Sequence, residues 1–523
     1  MKVQAPITRR NTLLGATTLA AAAVLGSPMA LAPVNAQPVG TPGAAAPGSA
    51  ANEPGKLAPL PDRLPSGVEA RVGPVELQRG MPTQKGIEQL FDIQDFQRAT
   101  QLYQWALPAV SLLGIQRACV ANGKTGETDW VVFDDFVPRA GILTPNTQVT
   151  YIFAFPDLEK TGPLVFDYPA GGIAGIVQDF WQRPLADYGL TGPEKGVTGG
   201  KLLILGPGQK APDDVTGYHV VHSPTRFVWI PSRIFDRSEK DKLAPLFNLY
   251  SYSQRDKPAP TKVIAATKDY IQAQPRGLAY WEAVNEIVQR ESVEERDRFF
   301  YAMLRDLGIG KGKPFQPDER TRKILEDGAL LGEEIARVIV YQKRFIGAYY
   351  RKDASWQFAL VVDPDQREDT HDQLDERTDW FYEACGSSYA MITKTPGVGS
   401  IYLATYRDKD SGWLDGGKSY RLRISPNPPM QQFWAVTVYD MDTRCLIRNE
   451  RLKAEVASTT EGLQKNGDGS VDVYFGPKAP AGKETNWVQT VPDRFWFPYF
   501  RLYAPTQAYF DRSWPLNDIE LVT

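Results

Sequence analysis

The sequence predicts an α+β multidomain protein, mainly β with helices, in the order helix, β-domain, helices, β-domain. Three observations predict it. Apolar residues recur at helical intervals up to Pro108, switch to short strand-like runs from Trp130, return to helical spacing between about 276 and 347, and become strand-like again near Ser400. Turn clusters such as Gly206-Pro207-Gly208 and Asp213-Asp214 punctuate the first strand-rich stretch, the pattern of a sandwich or barrel. The chain has 523 residues, enough for two or three domains with proper cores.

The first element is an address. Thr8-Arg9-Arg10-Asn11-Thr12-Leu13-Leu14 opens an Ala-rich apolar run, and Val34-Asn35-Ala36 fits the small-x-small pattern of signal cleavage. The arginine pair followed by Leu13-Leu14 is similar to a twin-arginine translocation signal. Residues 1–36 are therefore expected to be removed near Ala36, with the translocation machinery as a partner and a periplasmic or secreted location. The run is broken by Pro28 and is short for a bilayer span. Residues 37–74 are rich in Ala, Pro and Gly and read as a disordered tether.

Residues 75–118 form a helical segment in which Ile87, Leu90, Phe91, Phe96, Leu102, Trp105 and Leu107 share a period and Pro108 breaks or kinks the helix. Residues 119–275 make the first β-sandwich, with strands expected at Trp130–Phe133, Thr150–Phe155, Leu164–Tyr168, Ile173–Trp181, Lys201–Leu205, Tyr218–Val221 and Phe227–Ile230. Residues 276–395 are a helical linker; Pro317-Asp318-Glu319 suits a helix start. Residues 396–523 make the second sandwich. Within it Trp434, Val436 and Val438 alternate with Ala435, Thr437 and Tyr439, giving each sheet face its own set.

Composition excludes several functions. The net charge is -3 and offers no basic footprint for nucleic acid. Three cysteines, Cys119, Cys385 and Cys445, leave at least one thiol unpaired, and no Cys-x-x-Cys supports a cluster or zinc ribbon. The three histidines are His219, His222 and His371; a His-x-x-His pair in an extended stretch is poor geometry for a shared metal. The Gly-rich pieces lack the lysine-hydroxyl pair of a phosphate loop and read as hairpin turns. No metal and no cofactor is expected.

Several longer motifs act together. Leu143-Thr144-Pro145-Asn146-Thr147, Gly199-Gly200-Lys201 and Gly308-Ile309-Gly310-Lys311-Gly312-Lys313-Pro314-Phe315 precede Leu414-Asp415-Gly416-Gly417-Lys418, Asn466-Gly467-Asp468-Gly469-Ser470, Asn486-Trp487-Val488-Gln489-Thr490 and Phe500-Arg501-Leu502-Tyr503. In this combination the chain resembles the bacterial family built from tandem domains of unknown function 1254 and 1214, over roughly residues 85–523. The resemblance implies two jelly-roll-like β-sandwiches joined and flanked by helices. It assigns no activity and no catalytic residue.

Two segments could carry chemistry. Asp440 and Arg444 close a strand, where they either face a ligand or pair at a sheet corner. Asp179, Trp181 and Arg183 place an acid, an indole and a guanidinium in one short segment, either a ligand wall or a strand with solvated polar neighbours. The candidate catalytic residues are thus Asp179, Asp440 and Arg444, and the candidate ligand contacts are Tyr151, Trp181, Arg183 and Trp434. The expected function is a hydrolase or lyase acting on a small or saccharide-like substrate in or between the sandwiches. The alternative is a non-catalytic binding or envelope-associated module. Homo-oligomerisation is compatible with either.

Overall fold

The computed structural model describes residues 63–134, 140–345, 347–392 and 395–522. The expected translocation signal and the expected tether up to residue 62 lie outside the described residues. At the end of the expected tether, Ser66–Val72 form a helix, α1, rather than a structureless segment. Pro65 sets its entry, and a 2.5 Å ion pair from Arg63 to Glu69 supports its first turn.

Helix α2, Gln84–Ala121, begins where the Thr83 hydroxyl accepts from the Gly86 amide at 3.2 Å. Of the two expectations at Pro108, a break or a kink, the break does not occur: the helix continues with Pro108 inside. Proline removes a backbone donor and crowds the preceding turn. Side chains also bond two carbonyls in this stretch: Trp105 O accepts from Arg377 Nη2 at 3.2 Å and Pro108 O from Gln182 Nε2 at 2.6 Å. From Ala99 to Cys119 nearly every residue of α2 is buried, as befits a helix that is apolar all round. Helices α3 (Leu278–Arg290), α4 (Arg298–Asp306), α5 (Glu319–Tyr341) and α6 (Leu374–Glu383) pack around it. Helix α5 approaches closely: a Cβ on Gly332 would stand 2.6 Å from Tyr103 Cβ.

The first sandwich contains β1 (Trp130–Phe133), β2 (Thr150–Ala154), β3 (Leu164–Tyr168), β4 (Ile173–Asp179), β5 (Pro184–Gly189), β6 (Gly200–Leu205), β7 (His219–His222), β8 (Val228–Ile234), β9 (Asn248–Ser251) and β10 (Val263–Ala265). Its six-stranded sheet runs in the order β10-β1-β2-β8-β4-β5 and its four-stranded sheet β7-β6-β3-β9. Ile152, Phe166, Val177, Ile204 and Ile230 belong to the core between them. The opposite face of the six-stranded sheet is covered too, so β1, β2 and β4 are buried throughout. That explains their unbroken apolar runs.

The second sandwich contains β11 (Gln357–Phe358), β12 (Ser400–Ala404), β13 (Ser419–Ile424), β14 (Trp434–Asp440), β15 (Glu455–Ala457), β16 (Val471–Gly476), β17 (Trp487–Gln489), β18 (Trp496–Tyr503) and β19 (Glu520–Val522). The sheets run β11-β12-β18-β14-β15 and β17-β16-β13-β19. Strand β11 comes from the stretch read as helical linker. Trp496, Phe500 and Leu502 face the inside, where Trp496 meets Phe475 at 4.7 Å between ring centroids. Tyr499, Arg501 and Tyr503 face outward. One hydrophobic core takes in the second sandwich, the helices and the outer face of the six-stranded sheet. All three cysteines are free thiols.

Candidate cleft between the sandwiches

The outer faces of the two large sheets meet, with polar side chains set among buried aromatic ones. On the second sandwich, register places Tyr402 and Ala435 beside Arg501, and Thr437 beside Tyr499. Small residues at Ala404, Ala435 and Ala457 leave room around the guanidinium. Arg501 is only 2% exposed. Its Nη1 donates to Thr437 Oγ1 at 2.8 Å and its Nη2 to Thr144 O at 3.0 Å, while its Nε has no partner among the described residues. The rings of Tyr499, Tyr402 and Tyr439 lie 5.1, 5.5 and 5.6 Å from it.

On the first sandwich, register pairs Arg233 with Tyr151 on one side and Ala174 on the other. The half-buried Arg233 guanidinium lies 5.7 Å from the Tyr151 ring and close to Tyr402 and Tyr503. Among the described residues no carboxylate pairs with it. The same face carries Asp187, which register places opposite Ile176 in β4. Burial pushes the Asp187 carboxyl up to about 6 against a hydrogen bond from Ser388, and its Oδ1 has no partner among the described residues.

Acids close the ends of the cleft. Glu455 accepts from Thr147 Oγ1 at 2.9 Å, from Thr437 Oγ1 at 2.5 Å and from Gln148 Nε2. Glu383, at the end of α6, accepts from Tyr406 at 2.9 Å and from the Tyr499 hydroxyl; burial raises its pKa. One turn earlier Asp379 pairs with Lys343, both fully buried; burial pushes Asp379 up to about 7 against the pull of Lys343. No group of three His, Cys, Asp or Glu side chains among the described residues is arranged to hold a metal.

Of the residues expected from the sequence, Tyr151 reaches this cleft. Trp434 points to the inside of its sandwich and stacks on Phe500 at 6.2 Å. Asp179 ends β4 and accepts from the amides of Trp181 at 2.8 Å and Arg183 at 3.0 Å, and from Arg183 Nε at 2.6 Å. Arg183 also binds Glu294, and Trp181 packs on Trp105 at 4.8 Å. This set ties the six-stranded sheet to α2 and the α3–α4 turn. Asp440 accepts from the amides of Asp442 and Thr443 at 3.0 and 2.8 Å and from Arg494 at 2.9 Å. Arg444 donates to Gln274 Oε1 at 2.6 Å and lies 4.1 Å over the Tyr382 ring. Asp179, Asp440 and Arg444 thus have separate partners and do not converge. Arg233, Arg501, Asp187 and Glu383 were not singled out from the sequence. The available signal was Tyr499-x-Arg501-x-Tyr503, a charge inside one face of an otherwise buried strand.

Residues 132–249 match the family described as protein of unknown function (DUF1254), and residues 399–507 match protein of unknown function (DUF1214). Arg233 falls in the first match and Arg501 in the second. No curated protein matches the chain. The crystal structure of the VPA0106 protein from Vibrio parahaemolyticus is similar at 17% identity, covering 82% of this chain and 100% of that one with a TM-score of 0.50. A crystal structure of an uncharacterized protein from Burkholderia cenocepacia aligns at 13% identity over 83% and 95% of the two chains, with a TM-score of 0.38. The first likeness bears on fold alone.

Proposed function

We propose that this chain, which belongs to the family pairing a DUF1254 domain with a following DUF1214 domain, captures a small anionic ligand in the cleft between its sandwiches. The observation that carries this reading is Arg233. A guanidinium walled by phenol rings and lacking a carboxylate partner is poised for bidentate recognition of an anionic group. Tyrosine hydroxyls around it can bind hydroxyls or further oxygens of the same ligand, so a sugar acid fits the site. The first family domain contributes Arg233, while Arg501 of the second, buried and bonded to Thr437 and to Thr144 O, positions the tyrosines around it. The hydrolase or lyase reading has less support. Asp179 and Asp440, its expected acids, are taken up by turns and ion pairs, and Asp187 is the cleft acid left to serve it.

Glucuronate and inorganic phosphate are suitable anionic probes, with glucose as the neutral control. In thermal-shift and calorimetric titrations the anions should bind and glucose should not. Arg233→Met should weaken binding by about tenfold or more, as expected for a lost charge-assisted pair. Equal affinity of the variant and the parent chain for both anions would sink the proposal.

We also place the protein outside the cytoplasm, on the arginine pair Arg9-Arg10 and the cleavage pattern at Ala36. Among the described residues no helix is long and apolar enough to cross a membrane. Replacing both arginines with lysine should trap the precursor in the cytoplasm. Undiminished export of that variant would remove the twin-arginine route.

A further inference from the structure

A second recess lies beside β11, the edge strand of the five-stranded sheet. It encloses about 480 Å³, within the roughly 300 to 1,000 Å³ typical of small-molecule sites. Phe358, Met391, Ile401, Tyr509 and Phe510 contribute its apolar walls. Two of these walls are fixed before any ligand arrives. Tyr509 stacks on Tyr350 at 5.5 Å with the rings within 9° of parallel, and Phe510 meets Tyr509 edge-on at 5.1 Å.

The polar lining is divided. On one side, Gln373 Oε1 accepts from the Asp363 amide at 2.7 Å and Gln373 Nε2 donates to Glu368 at 2.8 Å. Asp363 in turn accepts from the Asp365 amide at 2.9 Å. These groups hold the loop to itself. On the other side stands Arg512, whose guanidinium lies 5.6 Å from the Phe358 ring. Among the described residues no carboxylate pairs with it. An aromatic-walled recess with an unpaired guanidinium at its edge combines apolar burial with directed anion recognition.

We propose that this recess binds a small hydrophobic carboxylic acid, its apolar body between the rings and its carboxylate on Arg512. The site goes beyond the cleft proposed above: it shares the Tyr402 wall with it but uses none of the cleft's arginines. An amine would be drawn to Asp363 and Glu368, of which Asp363 Oδ1 and Glu368 Oε1 each serve one loop hydrogen bond, whereas the exposed Arg512 has no carboxylate partner among the described residues, and the amine in the test below weighs the one against the other.

The test is calorimetric titration of the mature chain with 3-phenylpropionate, 3-phenylpropanol and 3-phenylpropylamine. The acid should bind with one-to-one stoichiometry, and the alcohol and the amine at least about tenfold more weakly. Arg512→Met should reduce the acid to the level of the alcohol. Val361→Trp, which fills the recess from its half-buried wall, should abolish binding of all three. Three results would each overturn the proposal: no saturable binding of the acid at millimolar concentration, an amine that binds as tightly as the acid, or acid binding lost in Arg233→Met and kept in Arg512→Met. The last would put the acid in the cleft.

Discussion

The Asp187 carboxyl illustrates what the cleft costs at a single residue. Its folded pKa is raised to about 6 by burial, partly offset by Ser388, whereas an unfolded Asp titrates near 3.9. Between those values the folded chain binds more protons than the unfolded chain, so stability falls as pH rises through this window and levels off above about 6. Asp187→Asn removes the titrating group while keeping its size. The variant should match the parent chain near pH 4 and exceed it near neutrality by about 1 to 2 kcal/mol, discounted for partial solvation. Urea unfolding at both pH values measures the difference. A variant less stable than the parent at neutral pH would mean that the ionised carboxylate has a native partner. An acid kept in this position at a cost in stability is consistent with a role toward a ligand.

At the level of elements, the legible parts were those set by local periodicity. The alternation along β14 told its two faces apart, and the structure sends Val436 and Val438 inward and Thr437 and Tyr439 toward the cleft. The extent of α2 was largely legible, the expected helical span of 75–118 lying close to Gln84–Ala121, but whether Pro108 would break the helix was not. Arg377 and Gln182 bond its carbonyls there from α6 and the β4–β5 turn, contacts that no local rule foresees. Strand β11 was illegible for a related reason: two residues inside a helical stretch carry no period of their own. The acid, indole and arginine at positions 179 to 183 were visible as a set, but their role was not. That role depends on Glu294 and Trp105, more than seventy positions away. The cleft was the least legible feature. Arg233 and Arg501 lie in different domains, and nothing local in the sequence shows that two sheet faces meet.

For the whole molecule, the shared core predicts how the chain unfolds. The second sandwich is not closed by residues 396–523 alone. Trp356 is fully buried, donates to Asn517 O at 2.9 Å and lies 6.2 Å from the Phe500 ring. Tyr350 donates to Trp514 O at 3.3 Å. On the other face, Glu383 holds Tyr406 and Tyr499, and Pro145 O accepts from Tyr439 at 2.8 Å. Cutting the chain after residue 395 would strip a wall from the core on both sides of the five-stranded sheet and leave aromatic surface open to water. A fragment of residues 396–523 should therefore lack near-ultraviolet circular dichroism and aggregate, although it contains nearly all the strands of its sandwich. Residues 63–523 should unfold in urea as one transition that coincides for tryptophan fluorescence and far-ultraviolet circular dichroism. Two separated transitions, or a monomeric fragment with native-like tryptophan signals, would show that the sandwiches are independent. The cleft would then be a movable joint, whereas the shared core makes it a fixed wall, set before any anion reaches Arg233.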